Sequence, residues 1–173
     1  MNTNTNTNTQ LLVAYATKHG STHEVAEAMA EELRTRGFDV KVRSAAVVDR
    51  LDGYDGVILG SALYMGRLHA EGRAFLHRHR EELATLPVAV FAMGPRTLEP
   101  SDLAGSCRQL EQALAHEPAV SPFSTAIFGG VLKPAELHFP LSRMHASDVR
   151  DWDAIRHWAD EIAARFTLMY AAA

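Results

Sequence analysis

The stretch Ala16-Thr17-Lys18-His19-Gly20-Ser21-Thr22 joins the first predicted strand to the first predicted helix. It follows the apolar run Leu11-Leu12-Val13-Ala14-Tyr15, which is typical of a buried strand, and it leads into an amphipathic segment with helical periodicity. The first N–H groups of a helix lack internal partners, and the helix dipole favours negative charge there. A strand, a hydroxyl-rich turn and a helix start therefore predict a phosphate site.

The side chains of this turn support that interpretation but leave one alternative open. Gly20 allows a ligand to approach the backbone closely, and Thr17, Ser21 and Thr22 offer hydroxyl groups. Ser21-x-x-Glu24 also matches a capping box, which would satisfy the helix start without any ligand.

Composition limits the possible classes of protein. A chain of 173 residues predicts one domain with a core that needs no disulfides, and a single cysteine excludes an internal one. The net charge of -4 argues against a nucleic-acid partner. Residues 1–9 are polar and repetitive, which predicts a disordered tail before a single domain over 10–170. No run approaches the roughly 20 apolar residues that span a bilayer, so we expect a cytoplasmic protein.

Predicted strands and helices alternate along the chain. After a first helix that ends at Gly37, we predict strands at 38–42, 57–59, 88–93 and 123–130, and helices at 68–83, about 101–114 and 151–166. Gly60-Ser61 is expected to close the third strand, and Ser101 to cap the third helix. This alternation predicts a three-layer α/β/α sandwich with a five-stranded parallel sheet in the order 2-1-3-4-5. Ligands of such folds bind beyond the carboxyl ends of strands 1, 3 and 4.

Three other α/β sites for phosphates fail on their residues. A dinucleotide site needs Gly-x-Gly-x-x-Gly, but this turn has only Gly20. A P-loop needs a lysine directly before its last Ser or Thr, whereas Gly20 precedes Ser21 here. A receiver domain needs an aspartate at the end of the third strand, where this chain has Gly60-Ser61.

The pattern Thr17-x-x-Gly20-Ser21-Thr22 resembles the phosphate loop that binds flavin mononucleotide (FMN) in the flavodoxin family. Two further stretches, one after the third strand and one after the fourth, stand where that family places its flavin-ring loops. The resemblance extends from Leu11 to about Phe166 and implies a flavodoxin-like fold with FMN as the cofactor. The cofactor-binding residues that it implies are Thr17, Lys18, His19, Gly20, Ser21, Thr22, Ser61, Ala62, Leu63, Tyr64, Met65, Gly66, Met93, Gly94, Pro95 and Arg96.

Within the family, the chain looks most similar to the branch that includes menaquinone-dependent protoporphyrinogen oxidase. Gly66-Arg67-Leu68-His69 keeps the glycine and histidine of that branch's Tyr-Gly-x-x-His signature, and Met65 replaces its tyrosine. Asp151-Trp152 before the last helix also resembles this branch. The oxidase carries a long basic and apolar insertion between the fifth strand and the last helix, where this chain has the short, mixed segment 133–150.

The resemblance also implies roles for single residues. Tyr64 or Met65 is expected to lie against the flavin ring, because aromatic rings and thioethers pack well on a π surface. Backbone N–H groups from Met93 to Arg96 would bond the pyrimidine edge, and the Arg96 guanidinium would add positive charge.

No side chain is assigned a catalytic role, and no histidine spacing predicts a metal site. Cys107 falls on the apolar stripe of its helix, which predicts a core residue rather than a nucleophile.

Three functions remain open at this point. The first is an FMN-dependent oxidoreductase with a small-molecule acceptor, the second an electron carrier that serves a redox partner protein, and the third a flavin-free binding scaffold. Arg67, Arg73 and Arg96 lie in or near the predicted loops, which disfavours the acidic rim expected of a carrier. The sequence leaves the oligomeric state open.

Overall fold

The computed structural model describes residues 9–136, 139 and 141–171, so residues 1–8 of the predicted tail lie outside the described residues. The main strands are β1 (Gln10–Ala16), β2 (Asp39–Ser44), β3 (Gly56–Tyr64), β5 (Val88–Met93) and β6 (Ser124–Phe128), with the short β4 (Arg67–Leu68) between β3 and β5 in sequence. These main strands are parallel and lie in the order β2-β1-β3-β5-β6, and β4 pairs antiparallel with β3. The predicted order 2-1-3-4-5 is confirmed.

Helices cover both faces of the sheet. They are α1 (Ser21–Thr35), α2 (Ala70–Arg78), α3 (Arg80–Leu83), α4 (Pro100–Leu114) and α5 (Trp152–Ala171). Between β6 and α5 the chain forms a small antiparallel sheet of β7 (Val131–Leu132) and β8 (Ser147–Asp148). Short 3-10 turns lie at Ala45–Val47, Pro134–Glu136 and Leu141–Arg143.

Two apolar cores lie on opposite faces of the sheet. One joins the sheet to α1 and α5, and Val25, Met29 and Leu33 on the apolar face of α1 are buried in it. The other joins the sheet to α2, α3 and α4, where Phe75 and Leu110 are buried. All six residues of β5 are buried, as expected for a central parallel strand covered on both faces.

The prediction that Gly60-Ser61 closes the third strand is wrong. β3 continues to Tyr64, and Gly60 and Ser61 still pair with β5, opposite Phe91 and Ala92. Gly60 is needed for packing rather than for a turn, since a Cβ there would lie 2.1 Å from Cζ of Phe91. A glycine inside a strand thus marks a close approach of a neighbouring side chain.

Two helical predictions also need correction. The helix predicted over 68–83 is divided at the buried His79 into α2 and α3. α4 has Glu99 as its N-cap and Pro100 in its first turn, so Ser101 is not the cap.

Cys107 is exposed, so its prediction as a core residue is wrong. The buried residues of α4 are Ser106 and Leu110, so Ser106 takes the core position that the sequence suggested for Cys107. The small Ser106 side chain allows the helix to approach the end of β5, where a Cβ on Gly94 would lie 3.3 Å from Ser106 Oγ.

Candidate functional site

The predicted phosphate loop, residues 16–22, lies at the carboxyl edge of the sheet, between β1 and α1. Gly20 is the N-cap residue of α1 with φ +86°, and no side chain of the described residues caps this helix start. The Gly20 N–H donates to Thr17 Oγ1 at 3.0 Å, which closes the loop on itself. The Ser21-x-x-Glu24 capping box does not form, because Ser21 is already inside the helix. The first turn therefore keeps backbone donors available to a ligand.

Thr22, in the first turn of α1, carries the most informative polar atom of the loop. The residue is fully buried, and its Oγ1 has no hydrogen-bond partner among the residues that the structure describes. Leaving a buried hydroxyl unpaired costs about 1–3 kcal/mol, so such groups are rare unless a ligand satisfies them. An anion bound at the start of α1 would supply that partner.

The second predicted loop is the tip of the β3–β4 hairpin. Ser61, Ala62 and Leu63 are buried strand residues, and Ser61 Oγ accepts a hydrogen bond from the His69 N–H at 3.1 Å. The exposed part of this stretch is therefore limited to the turn that begins at Tyr64.

Met65 and Gly66 form the two-residue turn of this hairpin, and both have positive φ, +47° and +77°. Two-residue hairpins favour such a geometry, but a methionine adopts it only at a cost of about 1–2 kcal/mol. Met65 is also fully exposed. Next to it, Tyr64 is half exposed, and partial burial raises the pKa of its phenol. Residues with such backbone strain cluster at functional sites.

The third predicted loop follows β5 and offers fewer donors than expected. The Gly94 N–H already donates to the Phe128 carbonyl at 3.0 Å, and Pro95 has no N–H. Within the described residues, the backbone N–H groups of Arg96 and Thr97 make no backbone hydrogen bond. The Arg96 side chain is exposed, and its Nη1 lies 3.5 Å from Met144 Sδ.

A cleft of about 700 Å³ separates the hairpin from the β5 loop. Met65 lies on one side and Gly94 to Thr97 on the other, while Gln109 of α4 and the pair Met144 and His145 complete the wall. Sequence reasoning missed these last three residues. Because they come from separate segments with no shared periodicity, no local pattern could have identified them.

The model of the flavodoxin domain family matches residues 12–144 of this chain. The chain belongs to the flavodoxin domain family. Among curated relatives, it is 21% identical over 174 positions to protoporphyrinogen IX dehydrogenase (quinone) of Escherichia coli K12, with 88% of this chain and 93% of the relative covered. A protein of the same name from Leishmania major is 23% identical over 176 positions, with 88% and 74% covered.

Solved structures agree on the fold of this flavodoxin domain. Flavodoxin 2 from Bacillus cereus superposes with a TM-score of 0.63 and 24% identity, covering 90% of this chain and 99% of that one. A cysteine-to-alanine mutant of the flavodoxin from Pseudomonas aeruginosa gives a TM-score of 0.58 and 19% identity, covering 90% and 97%. At these identities the likeness shows the fold alone.

The segment between β6 and α5 connects the loops of this flavodoxin domain. The Gly130 N–H donates to the Pro95 carbonyl at 2.8 Å, and the Val149 N–H donates to the Gly130 carbonyl at 3.2 Å. The next residue, Arg150, bonds both Asp148 and Glu24 in the first turn of α1. The segment thus reaches from the β5 loop to the helix of the phosphate loop.

Arg150 is the centre of this connection. Its side chain is only 10% exposed, and its guanidinium lies 4.8 Å from the centre of the Trp152 ring. The hydrogen bond from Arg150 lowers the pKa of the Asp148 carboxyl, and the same bond raises the pKa of Arg150. Sequence reasoning missed Arg150, because its partner Glu24 lies 126 positions away.

In the part of the chain that the structure describes, no group of three or more His, Cys, Asp and Glu side chains is arranged to hold a metal ion. No helix there is long and apolar enough to cross a membrane.

Proposed function

We propose that this flavodoxin domain binds FMN at the carboxyl edge of its sheet and acts as an FMN-dependent oxidoreductase. The observation that carries the proposal is the buried hydroxyl of Thr22 at the start of α1, which has no partner among the described residues. A phosphate monoester carries about -1.5 to -2 charge at pH 7 and has several strong acceptor oxygens. Uncapped N–H groups and a buried hydroxyl at one helix start match those acceptors.

The other predicted residues have separate roles in this proposal. Thr17 and Ser21 would join Thr22 around the phosphate, and Tyr64 and Met65 would pack on the flavin ring. The Arg96 guanidinium would favour negative charge near the ring. The flavin supplies hydride and electron transfer when bound, while the chain holds it, orients it and limits water access.

The cleft between the hairpin and the β5 loop would hold the flavin ring, and it also offers Arg96, Gln109 and His145 as polar contacts for a small molecule that reaches the ring. The curated relatives are named for protoporphyrinogen IX and quinone. We therefore propose these two compounds as the first substrates to test in steady-state turnover. Fast electron transfer from a reductase in stopped-flow experiments, with no turnover of either compound, would instead favour a carrier.

Replacement of Thr22 by valine tests the phosphate site directly. Valine keeps the shape of the side chain and removes only the hydroxyl. Hydrogen bonds to charged groups are worth about 1.5–3 kcal/mol, so FMN should bind about 10- to 150-fold more weakly. The same change should stabilise the apoprotein by up to about 1 kcal/mol, because an unpaired buried hydroxyl is removed. Fluorescence titration and urea unfolding measure the two effects.

Two controls make this result specific. Riboflavin lacks the phosphate, so its affinity should be the same for Thr22→Val and the wild type. Thr22→Ser retains the hydroxyl and should keep FMN affinity within a few-fold. Equal losses for FMN and riboflavin would show that the hydroxyl does not bind phosphate, and no FMN binding by the wild type would reject the proposal altogether.

A further inference from the structure

We propose that the cleft between α2 and α4 binds a small, flat, apolar molecule that carries a carboxylate. This cleft, of about 500 Å³, is separate from the cleft between the two ring loops. The proposal uses neither the phosphate loop nor the flavin, so it stands or falls independently of the proposed function.

The floor of the α2–α4 cleft is largely apolar. Ala70 and Ala74 stand one turn apart on α2, Ala113 faces them from α4, and the buried Leu76 belongs to the same lining. Because residues at i and i+4 share a helix face, the two α2 alanines form one continuous strip. Alanine side chains leave a slot that admits a ring system but provides no hydrogen bonds to it.

The open end of the cleft carries positive charge. Arg67 of β4 and Arg73 of α2 both line it, and both side chains are exposed. Nε of Arg73 donates to the Leu68 carbonyl at 3.2 Å, which fixes the direction of the guanidinium. Among the described residues, no partner bonds the terminal nitrogens of Arg73. Two guanidinium groups at one mouth form a site for a planar anion.

The acid in the lining does not cancel this charge. The Glu117 carboxylate lies 2.8 Å from His77 Nδ1, which is one helical turn beyond Arg73 on α2. Glu117 therefore already has a partner other than the two arginines. An apolar slot with cationic groups at one mouth favours a carboxylate on a ring, and it disfavours a cation of the same shape.

Calorimetric titration with 2-naphthoate, compared with the neutral 2-naphthylmethanol, tests both parts of this proposal on the full chain. The wild type should bind the acid about tenfold more tightly than the alcohol, since two partly exposed charge pairs contribute on that scale. Arg67→Gln with Arg73→Gln should abolish the preference and leave alcohol binding unchanged. The matched control, Arg43→Gln with Arg156→Gln, changes the net charge equally outside the cleft and should keep the preference.

A second variant tests the apolar floor. Ala74→Leu fills the slot at an exposed helix position and should weaken both compounds at least tenfold, whereas Ala164→Leu on the exposed side of α5 should weaken neither. Circular dichroism confirms that each variant is folded. Absence of naphthoate binding at millimolar concentration would overturn the proposal. So would equal affinities for acid and alcohol, or a loss of preference in the control pair as large as in the cleft pair.

Discussion

Replacement of Arg150 by methionine should release the segment that joins β6 to α5 from the helix of the phosphate loop. Methionine keeps an apolar stem that can pack on Trp152, but it removes the bonds to Glu24 and Asp148. The change therefore removes charge with little loss of buried volume. Any effect on stability or on FMN binding then reports mainly on the two ion pairs.

The size of the effect follows from the exposure of the partners. The side chains of Glu24 and Asp148 are 52% and 47% exposed, so solvent screens each ion pair. Exposed pairs contribute about 0.2–1 kcal/mol each, and the low exposure of the arginine moves the total towards the upper end. We expect Arg150→Met to lower the free energy of unfolding by about 1–2 kcal/mol at pH 7.

The pH dependence has a definite sign. Arg150 lowers the pKa of Asp148 in the folded state, so this pair stabilises the fold above the unfolded-state pKa of about 3.9. The stabilisation disappears as the pH falls through the lower folded-state value. The deficit of Arg150→Met relative to the wild type should therefore be full at pH 7 and shrink steadily below about pH 4.

Urea unfolding of the wild type, Arg150→Met, Asp148→Asn and the double variant measures the coupling between the two side chains. A coupling of about 0.5–1 kcal/mol at pH 7 is expected for a pair in direct contact. Arg150→Met should also weaken FMN more than riboflavin, because Glu24 would be left unpaired in the first turn of α1. Additive single effects, or a deficit that persists unchanged at pH 3, would refute this reasoning.

Three further predictions concern the sheet and the helices α4 and α5. Gly60→Ala should lower the free energy of unfolding by about 1–3 kcal/mol, because its Cβ would overlap the Phe91 ring. Gly105→Ala in α4, where a Cβ meets nothing within 4 Å, should raise the free energy of unfolding by about 0.5–1 kcal/mol. Urea unfolding measures both variants, and changes of the same sign in the two would contradict this reasoning. Burial, together with the charge of Asp55, raises the pKa of the Tyr170 phenol in the folded state. The stabilisation that Tyr170 provides should therefore be complete below about pH 10 and decline as the pH rises above it. Tyr170→Phe loses the hydrogen bond to the Asp55 carbonyl, about 1 kcal/mol at pH 7, and its deficit should shrink at pH 11 if Tyr170 titrates as argued.

Much of the fold could be predicted because its signals are local. Buried parallel strands require continuous apolar runs, and the helices between them require an apolar stripe along one face. Each element can therefore be recognised within about ten residues of sequence. The errors occurred where packing outweighed local signals. The pair Gly60-Ser61 resembles the end of a strand, but Gly60 lies inside β3, where the Phe91 ring leaves no room for a Cβ. Cys107 fits an apolar stripe, but α4 turns Ser106 to the sheet instead.

The three loops of the candidate site could be predicted for the same reason, but the residues that complete the cleft between two of them could not. Every predicted phosphate contact lies between Thr17 and Thr22, so the pattern is contained in one turn. The cleft wall, in contrast, also includes Gln109, Met144 and His145, which come from segments distant from the loops. Such contacts depend on which loops the sheet places side by side at its carboxyl edge, and no residue spacing in the sequence predicts them.

The position of Glu24 shows why the remote Arg150 is important for this site. An acid in the first turn of a helix stabilises that helix, but it opposes a phosphate that binds to the same positive end. The pairing of Glu24 with Arg150 offsets the negative charge of the acid and keeps the acid in the first turn. Arg150 directly follows Val149, whose N–H bonds Gly130, and Gly130 in turn bonds Pro95. The arginine that offsets the acid thus belongs to the segment that is hydrogen-bonded to the β5 loop. In the function we propose, Arg150 would therefore couple phosphate affinity to the position of that loop.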